Sequence, residues 1–95
     1  MKQIMYHVIG VKKDTSHVYL GAYKLLENAI ARSKLEAADW KAEELKYIYV
    51  QSLPSKRLGA VWVPAKGASQ MSENSIDYQI DIETGEEEWT NSLED

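Results

Sequence analysis

The sequence predicts an α+β fold: a mostly antiparallel sheet of five to six strands with one long helix packed on one face, in the order β-β-α-β-β-β. Three observations predict it. Two Ile-, Val- and Tyr-rich segments near the N-terminus are separated by a short polar turn. At Leu25 the apolar period changes from strand-like to steps of three and four. From Tyr47 onward the strand pattern returns, and it alternates cleanly over residues 76–83.

Residues 3–11 read as one strand and residues 17–23 as a second, with Lys12-Lys13-Asp14-Thr15-Ser16 as the turn of a β-hairpin. Leu26, Ala29, Ile30, Ser33, Ala37 and Trp40 mark one face of a helix. Its alanines favour helix intrinsically, and Arg32 and Glu36 are spaced to pair. No Ser, Thr, Asp or Asn immediately precedes it, so its start is weakly capped; its end falls between Asp39 and Lys46. Residues 47–53 read as a third strand halted by Pro54, followed by a loop over 54–58 carrying Lys56 and Arg57. Residues 59–63 are a fourth short strand halted by Pro64, and the aperiodic Gly-, Ala- and Ser-containing stretch 65–75 is a mobile loop.

In the next strand Ile76, Tyr78, Ile80 and Ile82 share one face, and Asp77, Gln79, Asp81 and Glu83 share the other, wet one. Thr84-Gly85 makes a turn, with Gly85 suited to a positive φ. Residues 86–90 return as a short edge strand with Trp89 folding back onto the sheet, and residues 91–95 fray. Chain 1–95 is expected to be one domain, with the helix-free face of its sheet wet and carrying Tyr and Trp contacts.

Composition narrows the function. No Cys is present, so neither a disulfide framework nor a thiolate metal site is expected. No run approaches the roughly 18–20 apolar residues of a membrane span, and the apolar N-terminus is too short for a signal peptide. The expectation is a cytoplasmic protein with no membrane partner. There is no Phe, so each aromatic ring carries a polar handle, as at half-buried sites and interfaces. His7 and His17 lie on the two strands of the first hairpin and read as surface or half-buried structural residues, because a zinc site needs three or four ligands. No Gly-rich phosphate loop, EF-hand loop or nucleophile elbow occurs. No cofactor, metal or catalytic residue is expected.

Charge carries the functional reading. Residues 1–66 hold eleven basic and six acidic side chains, a net of +5, whereas residues 67–95 hold nine carboxylates and no base, a net of −9. Lys12, Lys13, Lys56, Arg57 and Lys66 offer a basic patch, but the −9 segment argues against nucleic acid as a partner. Side chains on one strand face recur at about 6.6–6.8 Å. Asp77, Asp81 and Glu83, with Glu86, Glu87 and Glu88 on the returning strand, would then form an anionic ledge, with Tyr78 and Trp89 as anchors. That spacing is on the order of neighbouring phosphates, so a basic protein surface that ordinarily holds nucleic acid is a suitable partner. The expected function is therefore a non-catalytic protein-binding module. The alternative is a self-associating accessory protein in which basic and acidic halves meet across a homodimer. A small metal-dependent enzyme stands third, and a purely solubilising role for the edge strand is the bland rival.

Val18-Tyr19-Leu20-Gly21-Ala22-Tyr23, then Leu26-Glu27-Asn28-Ala29, an Ala-rich helix and the aromatic strand at 47–53 form a pattern of their own. A strand ending in Gly-x-Tyr runs into a helix opening with Glu-x-Ala, and a strand returns. Over positions 17–53 this resembles small phage- and mobile-element-borne α+β proteins of unknown function. The resemblance implies a bacterial or phage setting and a small α+β fold with no assigned activity; short proteins of that setting often act by binding and blocking a host protein.

Overall fold

The computed structural model describes residues 3–40, 44–64 and 76–89. The chain runs β1 (Gln3–Lys12), β2 (His17–Tyr23), α1 (Leu26–Asp39), β3 (Leu45–Leu58), β4 (Val61–Pro64), β5 (Ile76–Asp81) and β6 (Glu87–Trp89), the expected α+β order. All strand pairs are antiparallel, and the sheet is ordered β2-β1-β3-β5-β6 with β4 paired to β3. The loop expected over 65–75 and the frayed end expected over 91–95 lie outside the described residues.

Asp14 fixes the first turn: its Oδ1 accepts the Ser16 amide at 3.0 Å and the Ser16 hydroxyl at 2.6 Å. β2 and β3 are each antiparallel to β1, so they run parallel to each other and need a crossover between them. Helix α1 is that crossover, and it covers one face of the sheet. There Val8, Ile48, Val50, Tyr78 and Ile80 from the strands pack with Ala29 of the helix and with Leu45. Gly10 leaves the room that Leu45 fills, since a Cβ at position 10 would stand 3.1 Å from a Leu45 methyl. The helix starts without a side-chain cap at Leu25, as its sequence predicts. It carries the expected Arg32–Glu36 ion pair at 2.7 Å, and Glu36 also accepts the Trp40 indole N–H at 3.0 Å.

Two expectations about the strands are corrected. First, β3 does not stop at Pro54: it runs on to Leu58, so residues 54–58 are strand and not loop. β5 pairs with β3 only as far as Gln51, and β4 begins its pairing at Ser55. Among the described residues Pro54 falls in that gap, where a residue without an N–H forfeits no ladder bond. Gly59, at φ +65°, then opens a two-residue turn into β4, which includes Pro64. The long, twisted β3 lets the sheet curl, so that the Tyr19 hydroxyl on β2 reaches the Trp62 carbonyl on β4 at 3.1 Å.

Second, the alternation along β5 is interrupted. Tyr78 pairs with Val50 and Ile76 with Gln51, so Asp77 is an additional residue between two paired positions, a β-bulge. Ile76 is thereby moved out of the apolar register of Tyr78 and Ile80.

Candidate functional site

The β5–β6 hairpin ends the sheet, with β6 as its last strand. Gly85, at φ +77°, and two hydrogen bonds close its turn: Gly85 N–H to the Asp81 carbonyl (2.8 Å) and Asp81 N–H to the Glu86 carbonyl (2.9 Å). The eight residues expected to meet a partner all lie on this hairpin, but the sheet divides them.

Asp77 is buried at 3 % exposure, which corrects its placement on the wet face; the bulge takes it out of the outward alternation. Tyr78 is fully buried in the helix-side core, so it is not a surface anchor. Its hydroxyl donates to Glu87 Oε1 at 2.7 Å, and Lys34 of the helix approaches the same carboxylate at 3.5 Å. Glu87 therefore serves the helix side. Burial first, then the Glu87 carboxylate, pushes the Tyr78 hydroxyl pKa well above its ordinary value. Trp89 pairs with Tyr78 across the strands and meets it edge-on at 5.1 Å between ring centres, while staying 38 % exposed. It does fold back onto the sheet.

On the helix-free face, Gln79, Asp81, Glu86 and Glu88 surround a concavity of about 100 Å³. Asp81 Oδ1 accepts the amides of Glu83 (2.9 Å) and Thr84 (3.0 Å). These bonds, that of Thr84 foremost, hold its carboxyl below the ordinary range. Asp81 is thus a turn-former as well as a surface charge. Glu83, Glu86 and Glu88 are exposed. The anionic ledge is therefore shorter than its sequence suggests: three or four carboxylates on one side of the edge, with Trp89 on the other.

A second cluster was invisible in the sequence. His7 is fully buried and not half-exposed, and on β2 it pairs with Ala22, whereas His17 pairs with Val11. His7 Nε2 stands 2.7 Å from Ser55 Oγ, and Nδ1 stands 2.5 Å from the Tyr19 hydroxyl. Ser55 sits 48 positions away, in the stretch read as a loop, so no local pattern could have joined it to His7. Alternation along β1 puts His7 with Met5, Ile9 and Val11, opposite the helix. That face is not simply wet, because Met5, His7, Val11, Leu53 and Ser55 are all buried. It carries a row of rings: those of His17 and Tyr49 lie 6.3 Å apart and those of Tyr47 and Tyr49 6.2 Å apart. Beside it, Tyr19, Gly21, Ala22, Ala60, Val61 and Trp62 line a cleft of about 160 Å³.

Among the described residues, no group of three or more His, Asp or Glu side chains is arranged to hold a metal ion, and no helix is long and apolar enough to cross a membrane. No protein-family model matches the chain, and neither a similar curated protein nor a similar solved structure is found.

Proposed function

We propose that this chain is a non-catalytic protein-binding module, an inhibitor or regulator, that offers strand β6 to a partner with a basic surface. One observation carries the reading: the last strand of the sheet is flanked by Glu86 and Glu88 on one face and by the half-exposed Trp89 on the other. A partner that grips this edge gains an aromatic anchor held by Tyr78, and it gains carboxylates that steer a basic surface into place. Among the described residues β6 pairs only with β5. The likeness of positions 17–53 to small phage-borne proteins supports a host protein as the target, and a site that ordinarily holds nucleic acid has the required charge.

The test is a pull-down from bacterial lysate at low and high salt, with E83Q/E86Q/E88Q and Trp89→Ala as separate variants. These side chains are exposed, so the fold should survive, which circular dichroism checks. Loss of a salt-sensitive partner in both variants supports the reading. Retention of every partner by both variants refutes it. A salt-labile dimer in sizing runs with no other partner would instead favour self-association of the basic and acidic halves.

A further inference from the structure

His7 lies in the middle of a chain of five groups on the helix-free face. The Ser55 hydroxyl donates to the Leu53 carbonyl at 2.9 Å, and Ser55 Oγ faces His7 Nε2 at 2.7 Å. His7 Nδ1 faces the Tyr19 hydroxyl at 2.5 Å, and that hydroxyl reaches the Trp62 carbonyl at 3.1 Å. The two end groups are carbonyls and can only accept. Four contacts therefore need four hydrogens from the three groups between them. With a neutral imidazole those groups bring three: one from each hydroxyl and one from the ring. An imidazolium brings the fourth. Every contact is then directed, with His7 donating from both nitrogens, Ser55 to Leu53 and Tyr19 to Trp62.

The surroundings decide which contact lacks its hydrogen when His7 is neutral. His7, Ser55 and Leu53 are all buried, so lone pairs forced to face each other there would have no water between them. The Tyr19–Trp62 contact is the longest of the four, and Tyr19 is 51 % exposed. In a two-residue hairpin the pair flanking the turn, Leu58–Val61, exchanges ladder bonds and the next pair, Arg57–Trp62, does not. The Trp62 carbonyl thus points out of the ladder, where water can serve it. Neutral His7 carries its hydrogen on Nε2 and accepts the Tyr19 hydroxyl on Nδ1.

We propose that His7 is a proton-operated tether: protonation of its ring turns the Tyr19 hydroxyl from His7 to the Trp62 carbonyl, and so ties the β3–β4 hairpin to β2 across the helix-free face. The tether spans the cleft between Tyr19 and Trp62, so the proton sets how firmly its two walls are held together. The groups around His7 are Tyr19 and the cross-strand Ala22 from β2, Ser55 and the cross-strand Gln51 from β3, and Met5 and Ile9 along its own strand. β4 reaches it through the Trp62 carbonyl, and α1 lies on the other face. Among the described hydrogen bonds and ion pairs none joins His7 to a carboxylate or a cation. Burial holds its pKa below the ordinary histidine value, so the tether closes in acidic solution.

Two nuclear magnetic resonance measurements on the whole chain test this. Ring ¹⁵N shifts of His7 should report the Nε2–H tautomer above its titration and the imidazolium below it. Exchange protection of the Val61 and Val63 amides, corrected for the intrinsic rate, should rise about fivefold as His7 becomes protonated, the ratio a typical net hydrogen bond sustains. In Tyr19→Phe that rise should vanish. An Nδ1–H tautomer in the wild-type protein overturns the proposal, as does the absence of a rise in the wild type or an equal rise in Tyr19→Phe. The tautomer is read on the wild type, so it decides the matter even if the variant folds poorly.

Discussion

The buried Tyr78 hydroxyl donates to Glu87 Oε1 at 2.7 Å, so one carboxylate of the acidic segment holds the edge strand to the core. Tyr78→Phe is expected to lower stability by about 1 kcal/mol in urea unfolding, the worth of a hydrogen bond to a partly hydrated carboxylate. Glu87→Gln should cost less, and the double variant little more than Tyr78→Phe alone, because the two groups share one interaction. Strictly additive losses would contradict the bond. The Tyr78 pKa is raised in the folded state, by burial first and Glu87 second. Its contribution is complete below the unfolded tyrosine pKa of about 10 and is lost as pH rises beyond it, so Tyr78→Phe should also flatten the alkaline limb of a stability profile.

His7 gives the complementary acid dependence. Burial depresses its folded pKa, so the folded state prefers the neutral ring. Its stability is present above the unfolded value of about 6.5 and is lost as pH falls through the folded pKa. His7→Phe leaves Ser55 free to donate to Leu53 and Tyr19 to Trp62, and it removes the titration. The slope of stability against pH below about 6.5, at most about 1.4 kcal/mol per pH unit for one group, should shrink in His7→Phe. An unchanged slope would show that His7 is not the titrating group. This loss is measured against the unfolded chain, whereas the tether compares two folded forms, so both hold together.

The parts of the fold that the sequence made legible are those set by local period and turn chemistry. The face of α1, the Arg32–Glu36 pair, the weak cap at Leu25 and the turn at Gly85 follow from neighbours within a few positions. What stayed hidden was non-local. Pro54 reads as a strand stop unless one knows that, among the described residues, no strand pairs with that edge there. Asp77 reads as an outward residue unless one knows that the register slips at Val50, since strict alternation in sequence carries no mark of a bulge. The same slip shortened the acidic ledge. His7 and Ser55 met only because β1 pairs with β3 along the whole of β1, as far as Ser55.

Trp40 tests the helix face. It is partly buried, packs on the main core and closes the helix through Glu36, whose carbonyl accepts its amide at 3.0 Å and whose carboxylate accepts its indole. Trp40→Ala should cost about 2 kcal/mol, below the roughly 3–5 kcal/mol of a fully buried aromatic residue. Trp40→Phe should fall between, keeping packing and losing the indole bond. A cost under about 0.5 kcal/mol, the level of an ordinary surface change, would mean that Trp40 does not hold the helix end.

Asp81 separates structure from binding within the acidic hairpin. Its carboxylate accepts the amides of Glu83 and Thr84, and the folded-state pKa is depressed by those bonds, Thr84 first. The stability it lends is present above the unfolded carboxylate pKa and is lost as pH falls through the lower, folded value. Asp81→Ala should therefore lower the melting temperature at neutral pH and weaken the acid dependence. Asp81→Asn, which keeps an accepting oxygen, should lose less at neutral pH. Glu86 and Glu88 take no side-chain part in that turn, so Gln at those two positions should leave the melting temperature unchanged. If the hairpin is a binding edge, E86Q/E88Q weakens partner capture with no thermal cost, whereas Asp81→Ala weakens both. Equal thermal losses from the two variants would mean that the carboxylates act together to hold the turn.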